Sequence, residues 1–137
     1  MKIGIISDTH DHLAMCRAAL KAFADEGAKT VLHAGDYVAP FVIPEFDKAG
    51  VSLIGVFGNN DGEKLFLAQK FREFKFELYP GPYELELEGR RICLMHEPRC
   101  LDSLIKLDAG CRKQDLIREM KGHILAEGRL MGRYTKQ

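Results

Sequence analysis

Four short polar clusters, each closing an apolar run, carry the residue types from which a divalent-metal site is built. Asp8 and His10 follow Lys2-Ile3-Gly4-Ile5-Ile6-Ser7, and Gly35-Asp36 follows Thr30-Val31-Leu32-His33-Ala34. Gly58-Asn59-Asn60-Asp61 follows Val51-Ser52-Leu53-Ile54-Gly55-Val56-Phe57, and His96-Glu97 follows Arg91-Ile92-Cys93-Leu94-Met95. Carboxylate, imidazole and amide oxygen together suit borderline first-row cations such as Mn, Ni, Fe or Zn better than calcium or soft copper. Two such ions roughly 3.5–4 Å apart can clamp a phosphoryl oxygen, generate a hydroxide at neutral pH and stabilise a leaving oxygen. Asp36 is the residue best placed to bridge them, Asp8 and His10 form a pair for the first ion, and Asn59 and His96 serve the second. Singly, an Asp or Asn after a strand is more often a turn former or cap. The joint order of Asp-x-His, Gly-Asp, Gly-Asn-Asn-Asp and a later strand-end His favours the metal reading.

The elements that must position these residues follow from the apolar periodicity. Lys2 to Ser7, Thr30 to Ala34 and Val51 to Phe57 read as buried strands. Between the first two, Leu13, Cys16, Leu20 and Phe23 recur at helical spacing, with Asp11 as the cap and Gly27 as the stop. A short helix from near Pro40 to Gly50 joins the second strand to the third, and Glu63 to Phe74 reads as another helix, with Leu65, Leu67, Phe71 and Phe74 apolar. Such a β-α-β-α-β series favours a parallel sheet with right-handed crossovers, here doubly wound. In such sheets ligands bind outside the carboxyl ends of the strands, where distant residues converge.

Tyr83-Glu84-Leu85-Glu86-Leu87-Glu88 alternates strictly, Gly89 marks a turn, and Arg90 to Met95 returns as a more apolar strand. This is an antiparallel hairpin that begins a further sheet, with Glu84, Glu86 and Glu88 forming a solvated face. From Leu101 the pattern turns helical: Leu101, Leu104 and Ile105 suggest one helix, and Leu116, Ile117, Met120, Ile124 and Leu125 an amphipathic second one. Glu127 to Gln137 is expected to fray. Among the remaining histidines, His33 reads as a packed, hydrogen-bonded residue and His12 as a surface or cap residue. His96 with Cys100 is only a weak zinc signal.

One domain is expected over residues 1–137, a length that supports one core. Twenty basic and twenty acidic residues leave no net charge, which removes any bulk electrostatic case for large nucleic acids or anionic membranes. No signal peptide or membrane span is visible, so a cytoplasmic location is expected. The four cysteines, Cys16, Cys93, Cys100 and Cys111, show no CxxC pairing and are expected to be reduced.

On Asp8-Thr9-His10, Gly35-Asp36, Gly58-Asn59-Asn60-Asp61 and Met95-His96, the chain resembles the calcineurin-like metallophosphoesterases, most closely the small prokaryotic phosphodiesterases of the YfcE type. The resemblance covers residues 1–105 and leaves 106–137 as an atypical helical tail. It implies an α/β/β/α layered sandwich, two divalent metal ions (Mn, Ni, Fe or Zn) on Asp8, His10, Asp36, Asn59 and His96, and hydrolysis of small phosphodiesters by a metal-activated hydroxide. Many members follow the asparagine ligand with a histidine that helps bind phosphate or protonates the leaving group. This chain has Asn60, which can donate a hydrogen bond to phosphate but transfers no proton. The family's terminal Gly-His-x-His motif is also unmatched: Gly122-His123 is followed by Ile124-Leu125. The second sheet is therefore expected to be incomplete, with self-association or marginal stability as the consequence. A non-catalytic metal-binding or scaffold protein on the same fold is the alternative. A flavodoxin-like or nucleotide-binding module is disfavoured because the sequence has neither GxGxxG nor a P-loop lysine.

Overall fold

Strand β1 (Ile3–Ile6) is followed by α1 (Leu13–Asp25), β2 (Thr30–His33), a 3-10 turn (Pro40–Val42) running into α2 (Ile43–Lys48), β3 (Ser52–Val56), α3 (Lys64–Glu73) and β4 (Glu77–Tyr79). The computed structural model describes residues 2–97, together with the backbone of strands at 116–117, 123–126 and 129–133. The first four strands form one parallel sheet in the order β1-β2-β3-β4, with Ile3 opposite Thr30, Thr30 opposite Ser52 and Ile54 opposite Glu77. Because each strand is added beside its predecessor in one direction, right-handed crossovers place all three helices on the same face. The expected double winding is thus corrected. The opposite face is covered by a second sheet, not by helices.

Both faces of the parallel sheet are consequently apolar, which explains the nearly continuous hydrophobic runs of its strands. On the helix side, Cys16, Ala19, Leu20 and Phe23 of α1 pack with Val31, Leu53, Ile43, Phe46, Leu67 and Phe71. On the other side, Leu32, Ala34 and Val56 pack with Ile92 and Leu94, flanked by Tyr83, Leu85 and Leu87. The latter belong to the antiparallel pair β5 (Tyr83–Leu87) and β6 (Arg90–Leu94), in register Tyr83 to Leu94 and Leu87 to Arg90. The two residues left between them, Glu88 and Gly89, both have positive φ, as the favoured two-residue hairpin turn requires. This gives helix, sheet and sheet layers, a layered α/β sandwich; the expected fourth layer and the helix over Leu101–Ile105 fall outside the described residues.

Three local expectations are corrected. His12, not Asp11, caps α1, its Nδ1 accepting from the Met15 N–H, while Asp11 Oδ2 accepts from the Ala39 N–H in the loop after β2. Leu65, expected among the apolar positions of α3, is 88 % exposed, whereas Leu67 and Phe71 are buried. The second helix expected over Leu116–Leu125 is replaced by β7 (Leu116–Ile117), parallel to β6, and by the antiparallel pair β8 (His123–Ala126) and β9 (Arg129–Arg133). Short apolar runs do not by themselves separate strand from helix, and here pairing with other strands decides. His123 therefore begins a strand and is not part of a helix, and β9 occupies part of the segment expected to fray. At three residues, β4 is too short to show a period in the sequence.

Gly27 and Gly50, both at positive φ just after α1 and α2, supply the helix stops. The same two helices are tied together by Glu45, which accepts from Arg17 Nε at 2.7 Å, from Arg17 Nη2 at 3.2 Å and from Lys48 Nζ at 2.8 Å. Hydrogen bonding to Arg17, then to Lys48, outweighs the effect of burial and pulls the Glu45 carboxyl from 4.5 down to about 2. A depressed carboxyl stabilises the fold above its unfolded value and loses that contribution as pH falls through its folded value. The stability gap between the native chain and Glu45→Gln should therefore be full at neutral pH and close between pH 4.5 and about 2. Chemical denaturation at several pH values reads it, and a gap independent of pH would refute the linkage.

Candidate metal centre

The carboxyl ends of β1, β2, β3 and β6 deliver the polar clusters to one place. The segment after β1 continues to pair with the segment after β2: Asp8 N–H donates to Gly35 O, His10 N–H to Asp36 O and Asp11 N–H to Tyr37 O, at 2.9–3.1 Å. These turns are sharp. Asp8, His10, Asp11, Asp36 and Val38 all have φ between 42° and 75°. Left-handed backbone is unfavourable for such residues, most of all for β-branched Val38, and its clustering marks a functional site held by its surroundings. Gly35 and Gly58 let the loops after β2 and β3 touch: a Cβ on Gly35 would lie 2.6 Å from Gly58 N, and one on Gly58 would collide with the Asp36 carboxylate.

At the centre lies Asp36, only 1 % exposed. Its Oδ2 is 3.2 Å from His10 Nε2, which is itself 3.7 Å from Asp8 Oδ1. Asp8, His10 and Asp36 offer three ligand atoms within 4.8 Å of one another, a group able to hold a cation. Ser7 Oγ donates to Asp8 Oδ2 at 2.6 Å, which leaves Oδ1 for the His10 side. The other oxygen of Asp36, Oδ1, faces His96 Nε2 at 3.4 Å, and His96 Nε2 is 2.7 Å from Asn59 Oδ1. His96 Nδ1 must carry a hydrogen, because its partner at 2.8 Å is the Ala34 carbonyl. With its hydrogen there, the ring is oriented so that Nε2 faces the Asp36 and Asn59 oxygens together. Sequence order alone suggests these five residues; their convergence comes from the parallel sheet and the β6 strand laid across it.

Asn60 lies on a third side of Asp36, its backbone N–H donating to Oδ1 at 2.8 Å and its amide Nδ2 to Oδ2 at 2.6 Å. Burial alone would raise the Asp36 carboxyl, but these two Asn60 bonds and the His96 and His10 imidazoles together hold it below the ordinary carboxylate value. Asp36 is thus ionised and ready to accept a cation.

Two residues outside the expected ligand set shape the centre. Asp61, buried, accepts from Asp36 N at 3.0 Å, Gly58 N at 2.6 Å and Val38 N at 2.8 Å, joining the two ligand loops through one carboxylate. The last position of Gly-Asn-Asn-Asp is the available signal. His33, which reads as a packed histidine, is fully buried at the end of β2, where it bonds Thr9 and Gly35 and stacks on Tyr37 at 3.8 Å. Burial, with the neighbouring His96, pushes its imidazolium down to about 3 against the opposing pull of Asp36, so the ring is neutral. Cys16 and Cys93 are buried and reduced; Cys100 lies outside the described residues, and with it the weak pairing to His96. Among the described residues no helix is long and apolar enough to cross a membrane.

Comparison with known proteins shows the family and the fold. Residues 1–124 match the family model of the calcineurin-like phosphoesterase superfamily domain, reaching beyond the Ile105 limit of the sequence resemblance. Phosphodiesterase MJ0936 of Methanocaldococcus jannaschii is 48 % identical over 77 residues, which are 56 % of this chain and 46 % of that protein. The match thus spans about half the length of that relative. A structure characterised as a novel archaeal phosphodiesterase superposes with a TM-score of 0.74 at 31 % identity, covering 95 % of this chain and 81 % of the other. The E. coli phosphoesterase YfcE, at 24 % identity and a TM-score of 0.54 over 69 % of this chain and 57 % of its own, shares the fold.

Proposed function

The chain belongs to the calcineurin-like phosphoesterase superfamily, and from that premise we propose that it is a metal-dependent phosphodiesterase of the small prokaryotic, YfcE-like type acting on small phosphodiesters. The observation that carries this reading is Asp36, whose two oxygens face two separate ligand groups, Asp8 with His10 and Asn59 with His96. A carboxylate so placed suits a bridge between two divalent ions, which when bound supply Lewis acidity and a hydroxide at neutral pH. Asp8 and His10 hold one side, Asn59 and His96 the other. Ser7 orients Asp8, and the Ala34 carbonyl fixes the His96 tautomer, so both ligands meet a cation already aligned.

Asn60 is the catalytic position by this reading, donating its amide hydrogens to a phosphate oxygen once they are released from Asp36. Having no proton to give, it leaves the departing alkoxide unassisted, so turnover should favour good leaving groups such as nitrophenolate. Asn60→His should raise kcat on an alkyl diester by about a hundredfold, the low side of what a placed general acid contributes, with little change for bis-(p-nitrophenyl) phosphate. Equal native rates on activated and unactivated diesters at saturation would count against this assignment.

The direct test of the function is hydrolysis of bis-(p-nitrophenyl) phosphate by chelator-stripped protein with manganese, nickel, iron or zinc restored. Turnover restored by metal is expected. A second reading, a non-catalytic metal-binding or scaffold protein, is favoured by the lack of Gly-His-x-His and by Asn60; folded protein that binds metal yet turns nothing over would select it.

A further inference from the structure

One buried side chain, His33, reaches both loops that carry the first ligand group. The Gly35 N–H donates to its Nδ1 at 3.1 Å, so Nδ1 bears no hydrogen and the neutral ring carries its hydrogen on Nε2. That Nε2–H is directed at Thr9 Oγ1, 3.0 Å away, and Thr9 is itself buried. Thr9 stands between Asp8 and His10, whose φ angles of 55° and 42° are kept only where neighbouring structure enforces them. Gly35 immediately precedes Asp36, and Tyr37, which follows it, stacks on the His33 ring at 3.8 Å with its hydroxyl directed at the His33 carbonyl at 3.4 Å. A single ring thus touches the residue between Asp8 and His10 and the residues on either side of Asp36.

We infer that His33 is a positioning residue which, through Nε2–H to the Thr9 hydroxyl, sets the spacing of Asp8 and His10 against Asp36 and thereby the affinity of the first metal site. This rests on the metal-site reading above. It assigns the Asp8–His10 turn a lateral anchor on β2, distinct from the ligands themselves. Packing alone would need a ring of this size and no particular polarity; the anchor needs a donor at Nε2 and a hydroxyl at residue 9.

That distinction sets the experiment. Full-length protein, stripped of metal, is titrated calorimetrically with manganese(II), and unfolding is followed without metal in parallel. Thr9→Val removes the hydroxyl at constant shape and Thr9→Ser keeps it. His33→Gln keeps a donor where Nε2 stands, whereas His33→Asn keeps only an acceptor where Nδ1 stands. Thr9→Val and His33→Asn should each weaken manganese binding about tenfold, as loss of an outer partner of a metal site commonly does. The double variant should be no weaker than either single one, because both changes remove the same bond. Thr9→Ser and His33→Gln should stay within about threefold of the native affinity, well short of the outer-partner loss. Native affinity in Thr9→Val and His33→Asn would overturn the inference. So would equal weakening by His33→Gln and His33→Asn, or affinity that merely follows melting temperature across all variants. A native chain that binds no manganese would overturn the metal-site reading as well, which separates the two failures.

Discussion

Asp36→Asn should lower metal-dependent diester hydrolysis by about a thousandfold, since a metal clamp is worth several kcal/mol of transition-state stabilisation and each 1.36 kcal/mol is a factor of ten. The substitution is nearly isosteric, and the Asn60 donors that now meet two carboxylate oxygens would still find one acceptor. What disappears is the negative charge between His10 and His96. The fold should survive, because the cores on the two faces of the parallel sheet do not include Asp36. Steady-state rates with restored metal, alongside a melting curve, check both halves of the expectation. A variant that retains a tenth of the native rate would remove Asp36 from the centre of the chemistry.

The second large effect belongs to Asp61, which touches none of the proposed ligands through their side chains. Asp61→Ala would leave the N–H groups of Asp36, Val38 and Gly58 without their acceptor. Hydrogen bonds to a charged group contribute about 1.5–3 kcal/mol each, and buried donors left unpaired cost about 1–3 kcal/mol, so a loss of roughly 3 kcal/mol or more is expected after relaxation. Denaturant titration measures it. The same change should weaken metal binding, because Asp36 and its loop partner Gly58 are held by this carboxylate. Stability within about 1 kcal/mol of native, less than one lost charged bond, would show that water replaces Asp61 without cost.

These two residues also show where the sequence is readable and where it is not. Asp36 can be singled out because a strand-end carboxylate after Gly35 is a local pattern, and the parallel sheet predicted from alternating elements brings such ends together. The limits of β1, β2 and β3 lie within a residue of those expected, since runs buried on both faces are apolar throughout. Asp61 and His33 gain their roles only from long-range partners: the Asp61 carboxylate meets loops after two different strands, and His33 meets Thr9 from the loop after β1. Their neighbours in sequence say nothing of this. Likewise Leu65 fits a helical apolar pattern as well as Leu67 does, and only the direction of α3 across the sheet exposes one and buries the other. The strands at 116–117, 123–126 and 129–133 depend on pairing, not on local propensity, and so are legible only in three dimensions.

The proposal that Asp36 bridges two ions is tested most directly by counting ions: calorimetric titration of the chelator-stripped chain with manganese, for the native protein and for His96→Ala. Two equivalents per native chain, falling to one in His96→Ala, are expected. One equivalent in both proteins would contradict a two-metal centre joined by Asp36.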